Sequence, residues 1–402
     1  MRVSISRQIG SVLMIIGTEI GAGILALPIM IAHFGFILGS VFMLLVWSLM
    51  TYTTFMVCDI NLAMEQGTSF AEMARKLFGK FGQVVVWVSF LFLLYVISFA
   101  YISAAGSAFS TIFHIKDYLA SLIFVAFLGG FVVFGTSSVD WVNRILLITK
   151  LALLLFVCLF LVPHSNFDNL AVFPVTEFKY YMALFPILVT AFVGHIIIPS
   201  VRSYVNSDVK VLRRVIWIGC LIPLAVYVIW LIAIIGNIPF SGANSFQDLF
   251  ALGDNANVGN ILDLIKANLN KDYFVTPLSA FTSISVSTSF LAVSLSLKDF
   301  LIDGIKLNKH SAFNRTVVVI MLVFAIPLMV VVVFPNIFIK ALAFVGLCCT
   351  ILLVILPVLM IRKLKLTNHK FNFYGMASPI LNTLALLAGI ILISLELASN
   401  FV

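Results

Sequence analysis

Eleven apolar runs, each long enough to cross a lipid bilayer, constrain the fold of this chain more than any other feature. They cover residues 10–32, 34–58, 84–109, 118–139, 143–163, 180–201, 215–238, 273–297, 316–334, 337–361 and 376–397. A hydrocarbon core is about 30 Å thick, which takes about 20 helical residues to cross. Backbone groups in lipid need partners within the protein, so such runs must be helices. The sequence therefore predicts an all-α polytopic membrane protein with 11 transmembrane helices.

The composition excludes a water-soluble protein. Of the 402 residues, 62% are hydrophobic and only 10% are charged, a balance that soluble domains do not sustain. We therefore interpret residues 1–402 as a single membrane domain, in which Pro335 and Asn336 form the short connection between the ninth and tenth runs. The five cysteines show no CxxC spacing, so we expect small core residues and no metal site.

The basic residues predict the orientation. The connections on the side of the N-terminus hold 18 of the 24 Lys and Arg residues, namely Arg2, Arg7, Arg75, Lys76, Lys80, Arg144, Arg202, Lys210, Arg213, Arg214, Lys298, Lys306, Lys309, Arg315, Arg362, Lys363, Lys365 and Lys370. The other side holds Lys116, Lys179, Lys266, Lys271 and Lys340, and Lys150 lies inside the fifth run. This bias predicts a cytoplasmic N-terminus and an external C-terminus. The net charge of +8 is thus an orientation signal and a contact for anionic lipids, not a nucleic-acid footprint.

Two of the runs are interrupted at their middles, five spans apart. The first breaks within 17–28, which holds three glycines, Glu19 and Pro28, and the sixth breaks at 193–195 and continues into Pro199. Ordinary glycine kinks are the alternative, since glycine and proline are common in membrane helices. Paired breaks at corresponding positions are typical of transporters built from inverted repeats. We expect one repeat over 10–163, a second over 180–361, and an additional helix at 376–397.

An unwound stretch inside the bilayer predicts a polar ligand. The N–H groups of Ala22, Gly23 and Ile24 would open the outer half of the first helix, a positive dipole end suited to a carboxylate. Carbonyls of the sixth-run break could receive an ammonium group in the same way. The implied substrate is a zwitterion, most simply an amino acid.

Three ionisable residues lie inside the runs, and each has a structural alternative. Glu19 is nine residues into the first run, near the midplane, where an ionised carboxylate is costly; the alternative is a static pair or a hydrogen bond at the break. Lys150 lies about two turns into the fifth run, and the alternative is that it snorkels to the surface. His195 lies at the second break, either as a titrating group or as a neutral hydrogen-bonding residue.

Hydroxyl groups line the eighth run, which includes Ser285, Thr288 and Ser289. Together with carbonyls of the first break they could form an oxygen-lined cation site; the alternative is that they bond back to their own helix. Two connections are long. Residues 59–83 predict an amphipathic helix on the cytoplasmic surface, and residues 239–272 form either an outer lid or a solvated connector.

A long motif in the first run resembles the first-span signature of a known family. It reads Gly17-Thr18-x-Ile20-Gly21-Ala22-Gly23-x-Leu25-Ala26-x-Pro28. Further matches follow in chain order: Ala100–Ser103, Gly135–Ser137, Asp140, Asn143, Arg144, Lys150, Phe192, His195, Pro199, Ser200, Ser203, Tyr204, Thr288–Leu291, Asp299 and Asp303. Over nearly its whole length the chain resembles the hydroxy and aromatic amino acid permeases of the amino acid–polyamine–organocation group, most closely the bacterial tyrosine permeases.

The resemblance implies a leucine-transporter-like fold, with two inverted five-helix repeats, an eleventh helix and proton-coupled uptake. It implies that Ala22, Gly23 and Ile24 hold the substrate carboxylate, and that Lys150 stands where sodium-coupled relatives bind sodium. Glu19 departs from the family, in which an uncharged residue is usual at this position.

We therefore expect a proton-driven importer of an aromatic amino acid, tyrosine first, in the bacterial cytoplasmic membrane. Its predicted substrate-binding residues are Thr18, Ala22, Gly23, Ile24, Tyr101, Phe192 and His195. Glu19 and Lys150 are the predicted proton-coupling residues. A sodium-coupled neutral amino acid transporter is the alternative, with Ser285, Thr288 and Ser289 as its cation site. The sequence indicates no cofactor and leaves the oligomeric state open. A channel or a membrane-embedded enzyme would need a repeated polar stripe or a catalytic cluster, and neither is visible.

Overall fold

A computed structural model describes residues 4–174, 177–253, 256–269, 272–304, 312–367 and 378–399. Within these residues the chain forms helices and their connections, without a strand. Ten helices are long and apolar enough to cross a membrane, and the bent first helix pair makes an eleventh span. The predicted number of spans is confirmed.

The eleven spans follow the predicted runs closely. Seven spans are single helices: Phe36–Leu62 is the second, Asp117–Phe134 the fourth, Thr136–Leu161 the fifth, Val209–Ile235 the seventh, Asp272–Gly304 the eighth and Pro379–Ser399 the eleventh, while Phe70–Phe113 contains both the helix of the preceding connection and the third span. Two spans are broken: the first consists of Ile5–Glu19, Ala22–Leu25 and Leu27–Ala32, and the sixth of Phe178–Ala191, His195–Ile197 and Ile198–Tyr204. The ninth consists of Ala312–Val319, Ile320–Ala325 and Ile326–Val333, and the tenth of Phe338–Cys349, Thr350–Ile355 and Leu356–Thr367.

Prolines shape the ninth and tenth spans. Pro327 and Pro357 cannot donate to a carbonyl four residues earlier, so the helix must adjust around the missing hydrogen bond. In both spans the turn before the proline widens into a π-helical segment. Ile326 donates its N–H to the Met321 carbonyl and Leu356 donates to the Ile351 carbonyl, each five residues back. The predicted connection at Pro335 is confirmed, since one helix ends at Val333 and the next begins at Phe338.

The spans pack in two groups around the breaks. The seventh span packs on the N-terminal half of the first and on the second, and the second also packs on both halves of the sixth. The third span packs on the fourth, eighth and ninth, and the eighth packs on the fifth. The tenth span contacts both groups, through the third and the sixth spans. The division into two inverted repeats stays a prediction.

The long connection at 59–83 contains a helix, as predicted. A helix begins at Phe70, where the Ser69 hydroxyl oxygen accepts the Glu72 N–H at 3.3 Å, and it bends at Gly79, whose φ is +69°. Of the predicted apolar face, Phe70 and Met73 are buried, Leu77 is half-buried and Phe81 is exposed. The position of this helix on the cytoplasmic surface stays a prediction.

The described part of the connection at 239–272 contains two helices, Phe246–Ala251 and Val258–Leu269. Ser245 and Asp248 form a capping box at the start of the first helix. Of the residues discussed from the sequence, Arg2, Lys271, Lys306, Lys309 and Lys370 lie outside the described residues. The orientation of the chain in the membrane stays a prediction.

Candidate substrate and coupling site

The first span unwinds between Glu19 and Ala22. Ile20 has φ −78° and ψ +77°, Gly21 is extended, and the helix axes on either side are bent by 54°. A Cβ on Gly21 would lie 3.3 Å from the Ser289 hydroxyl oxygen. Glycine at this position therefore lets the eighth span approach the break closely.

The amides of Ala22 and Gly23 precede the first hydrogen bond of the new turn, in which Ile24 N–H donates to the Gly21 carbonyl at 3.5 Å. Amides at this position of a helix lack helical acceptors and suit an anion. A Cβ on Gly23 would have only the Thr190 hydroxyl oxygen within 4.0 Å. The space in front of Gly23 is therefore open.

The sixth span breaks after Ala191. Phe192 leaves the helical conformation, with φ −122° and ψ +49°, and a short turn begins at His195. The fully buried His195 shares a 2.8 Å hydrogen bond between its Nε2 and the Thr53 hydroxyl of the second span. Its Nδ1 has no partner within the described residues. His195 thus joins the sixth span to the second beside the break.

The seventh span connects the two breaks, which the sequence analysis missed. The buried Tyr227 hydroxyl lies 2.7 Å from the Glu19 carbonyl oxygen and 3.0 Å from that of Ala191. Trp230 donates its indole N–H to the Ile24 carbonyl at 3.1 Å. Buried tyrosine and tryptophan usually find a partner for their polar tips. Their spacing of three residues, on one helix face, is the sequence signal that could have indicated them.

Lys150 reaches the first break from the fifth span. Its buried amine donates to the Ile20 carbonyl at 2.8 Å and lies 3.4 Å from the Thr288 hydroxyl oxygen. The snorkelling alternative is therefore wrong, because the amine is held inside the protein. The Lys150 amine thus lies between the break and an eighth-span hydroxyl, at the place of the predicted cation site.

Some of the eighth-span hydroxyls bond back to their own helix, and others face the first break. Thr282 and Ser287 donate to carbonyls of their own helix at 3.0 and 2.7 Å. Thr288 also donates to its own helix, at the Ser285 carbonyl, yet it faces Lys150. Ser289 hydrogen-bonds the buried Tyr101 hydroxyl beside Gly21. The Ser285 hydroxyl is buried without a hydrogen-bond partner within the described residues.

Glu19 has different neighbours from Lys150. A Cβ on Gly194 would lie only 2.5 Å from Glu19 Oε1, so glycine makes room for the carboxyl group at the second break. The Cys220 thiol of the seventh span donates a hydrogen bond to it. Glu19 Oε2 is buried with no partner within the described part of the chain. The two ionisable residues thus lie in contact with different spans.

Of the other predicted substrate-binding residues, Phe192 contacts Tyr227 edge-on, with ring centroids 5.4 Å apart. Ile24 is fully buried, and its carbonyl accepts the Trp230 indole N–H. Thr18 donates its hydroxyl to the Met14 carbonyl of its own helix at 2.8 Å and is exposed. The structure places Gly23, Ile24, Tyr101 and Phe192 at or beside the breaks. The Thr18 hydroxyl, in contrast, donates its proton within the first helix.

The two ends of the site differ in access. On the side of the N-terminus, a cavity of about 720 Å³ separates the first and sixth spans from the third and eighth. On the other side, the ring of His33 lies between those of Tyr180 and Phe250, at 3.7 Å from each. Burial, and then the positive charge of Lys179, lowers the pKa of His33 to about 3. The neutral ring therefore stacks between its neighbours and connects the helix Phe246–Ala251 to the first and sixth spans.

With this geometry established, comparison with known proteins identifies the family. The model of the tryptophan/tyrosine permease family matches residues 5–396. The chain belongs to this family. It is therefore a permease rather than an enzyme, as predicted.

Relatives differ in their substrates. The chain is 33% identical over 396 residues to tyrosine-specific transport system 2 of Haemophilus influenzae, covering 96% of this chain and 95% of that relative. It is 29% identical to glutamine transporter 2 of Aliivibrio fischeri, covering 89% of each chain. Among solved structures, a manganese transporter of Eremococcus coleocola is similar, with a TM-score of 0.62, 15% identity, and coverage of 97% of this chain and 85% of that one. This similarity bears on the fold alone and confirms the predicted leucine-transporter type.

Proposed function

We propose that this permease imports an aromatic amino acid, tyrosine by preference, by proton symport and alternating access across the bacterial cytoplasmic membrane. One observation carries the proposal: two broken spans meet at Tyr227, and the amine of Lys150 is bonded to the first of the two breaks. A zwitterion matches the free amides at one break and the carbonyls at the other.

The substrate is held at both of its charged ends. Its carboxylate accepts from the amides of Ala22 and Gly23, whereas the predicted third donor, the Ile24 N–H, is bonded to the Gly21 carbonyl. Its ammonium donates to carbonyls of the sixth-span break. Its ring lies against Phe192 and Tyr101, because flat aromatic walls favour an aromatic ligand. The sequence similarity to a tyrosine-specific transport system supports this assignment.

Coupling to protons follows from the position of Lys150. When protonated, its ammonium ties the Ile20 carbonyl to the eighth-span hydroxyl, as a bound cation would. Loss of the proton removes that charge and weakens the link between the two groups of spans, which changes the balance of inward- and outward-facing states. An ammonium here also repels sodium, so the sodium-coupled alternative is disfavoured.

Glu19 is the second coupling group. A substrate carboxylate and an ionised Glu19 repel each other strongly in a low dielectric, so substrate binding favours the protonated carboxyl group. Linkage makes this mutual, since a bound proton then strengthens substrate binding. That is the thermodynamic condition for symport.

Uptake into proteoliposomes tests this function. Labelled tyrosine, tryptophan and glutamine are offered separately under an imposed proton gradient and under an imposed sodium gradient. We expect concentrative uptake of tyrosine under the proton gradient alone, with tryptophan competing. Accumulation of glutamine in preference to tyrosine, or accumulation driven by sodium alone, would contradict the proposal.

A further inference from the structure

The cavity on the N-terminal side is lined mainly by residues that lie outside the two breaks. Trp87, Phe90 and Phe300 of the third and eighth spans form its aromatic wall. Met14 and Tyr204, from the first and sixth spans, also line it. Met14 lies one helical turn before Thr18, and Ile196, in the turn that follows the sixth-span break, also lines the cavity, whereas Gly23 and Phe192 do not.

The aromatic wall presents stacked rings. The rings of Trp87 and Phe300 have centroids 4.9 Å apart with 28° between their planes, and Phe90 stacks on Phe300 at 6.1 Å and 27°. Nearly parallel rings at the edge of an open cavity offer a face on which a further flat ring can stack. The volume of about 720 Å³ falls within the usual range for small-molecule sites.

Polar residues of the cavity suit the rest of an amino acid. Ser69, Ser200 and Ser203 line the cavity, as do Phe70 and Ala71. Phe70 and Ala71 form the first turn of the helix capped by Ser69, where amides lack helical acceptors. The acidic residue of that turn, Glu72, is paired with Arg75 at 3.4 Å. The start of this helix can therefore receive a carboxylate.

The cavity also lies between the two groups of spans. Met14 and Tyr204 belong to one group, and Trp87 and Phe300 belong to the other. Any rearrangement that turns the site to the opposite face brings these walls together. A ligand that fills the cavity favours the conformation in which it is open, because it binds that conformation alone.

We infer that this cavity is a second binding site for the aromatic amino acid, at which substrate accumulated on the N-terminal side holds the permease open and slows transport. The inference rests on the proposed function, because it takes the transported amino acid as the ligand. Trp87 and Phe300 are the stacking residues of this site. Tyrosine bound there inhibits transport as the product, an effect that we call the brake.

Equilibrium binding of labelled tyrosine to the purified protein tests the site. We expect two tyrosines per chain in the wild type, one in Gly23→Val, one in Trp87→Leu, and none in the double variant. Leucine keeps much of the bulk of the side chain and removes the flat ring. Phe92→Leu is the matched control, since Phe92 lies on the same helix and lines a different groove; it should retain two.

The binding outcomes separate this inference from the proposed function. A single wild-type site that Gly23→Val abolishes would overturn the second site and leave the proposed function intact. Two sites that both persist in Trp87→Leu would overturn its placement. Two sites that both persist in Gly23→Val would overturn the substrate site of the proposed function, and absence of tyrosine binding would overturn both.

Exchange in proteoliposomes tests the brake itself. Unlabelled tyrosine on the N-terminal side should accelerate entry of labelled tyrosine at low concentration and slow it by at least about twofold at high concentration. Trp87→Leu should keep the acceleration and lose the slowing, whereas Phe92→Leu should show both. Equal slowing in wild type and Trp87→Leu would overturn the brake.

Discussion

The first and sixth spans are both broken, but side chains hold the two breaks differently. At the first break, the carbonyls of Glu19, Ile20 and Ile24 each accept from a side chain of another span, namely Tyr227, Lys150 and Trp230. At the sixth break, Tyr227 reaches the Ala191 carbonyl, and His195 binds Thr53 of the second span.

This difference separates two tasks. A break whose carbonyls are already bonded is rigid and offers mainly its amides, which suit a carboxylate. A break whose carbonyls are less engaged by side chains can offer them to an ammonium group. In the proposed mechanism, the first break therefore combines anion binding with the coupling lysine, and the sixth break receives the cationic end of the substrate.

The largest effect we expect is from Gly23→Val. The side chain would block the approach of the substrate carboxylate to the amides of the first break. Because two charge-assisted hydrogen bonds are worth about 1.5–3 kcal/mol each, tyrosine affinity should fall by about 100-fold or more. The room around Gly23 lets the protein itself accept the substitution. Binding to detergent-solubilised protein measures this, with Gly130→Val as a control in open space; undiminished binding in Gly23→Val would refute the carboxylate site.

Lys150→Met tests whether the first break holds the coupling group. Methionine keeps the length of the side chain and removes the charge. Tyrosine exchange should continue, but the accumulation ratio under a proton gradient should fall to about one, because the cation that links the spans no longer responds to pH. Uptake driven by the gradient is compared with exchange in the same vesicles. Concentrative uptake equal to wild type would assign Lys150 a structural role only.

Tyr227→Phe tests the bridge between the breaks. Loss of the hydroxyl leaves the Glu19 and Ala191 carbonyls without this donor, at a cost of about 1–3 kcal/mol in the free energy of unfolding. Trp230→Phe removes one donor from the first break alone, so its effect on transport should be smaller. Thermal unfolding and initial uptake rates of both variants provide the comparison. A larger loss of transport in Trp230→Phe than in Tyr227→Phe would show that transport does not depend on the Tyr227 bridge between the breaks.

The smallest effect concerns Glu19, which lies between the two breaks. Tyrosine affinity of the wild type should weaken as pH rises, by up to about tenfold per pH unit, because one proton is linked to binding. Glu19→Gln mimics the neutral acid and should bind tyrosine with little pH dependence. Tyrosine affinities of the wild type and of Glu19→Gln, measured across a pH series, test this difference. If Glu19→Gln keeps the wild-type profile, coupling lies with Lys150 alone.

Much of the architecture could be predicted from the sequence because lipid imposes a local rule. Each run of about 20 apolar residues must be a helix, so the eleven spans and the connection at Pro335 followed from single segments. The breaks could be predicted for the same reason, since glycine and proline interrupt a helix at their own positions. The matched motif at 17–28 then indicated the family, and the family model confirmed it.

Only the tertiary structure decided what the buried polar groups touch. Lys150 bonds a carbonyl 130 residues away, and Tyr227 bonds one 208 residues away. No local pattern encodes such partners, so the sequence left snorkelling open for Lys150 and missed Tyr227 altogether. Thr18 shows the converse, because its hydroxyl is satisfied within its own helix. Hydropathy and helix breaks are properties of a segment, whereas a hydrogen bond between distant spans depends on how the segments pack.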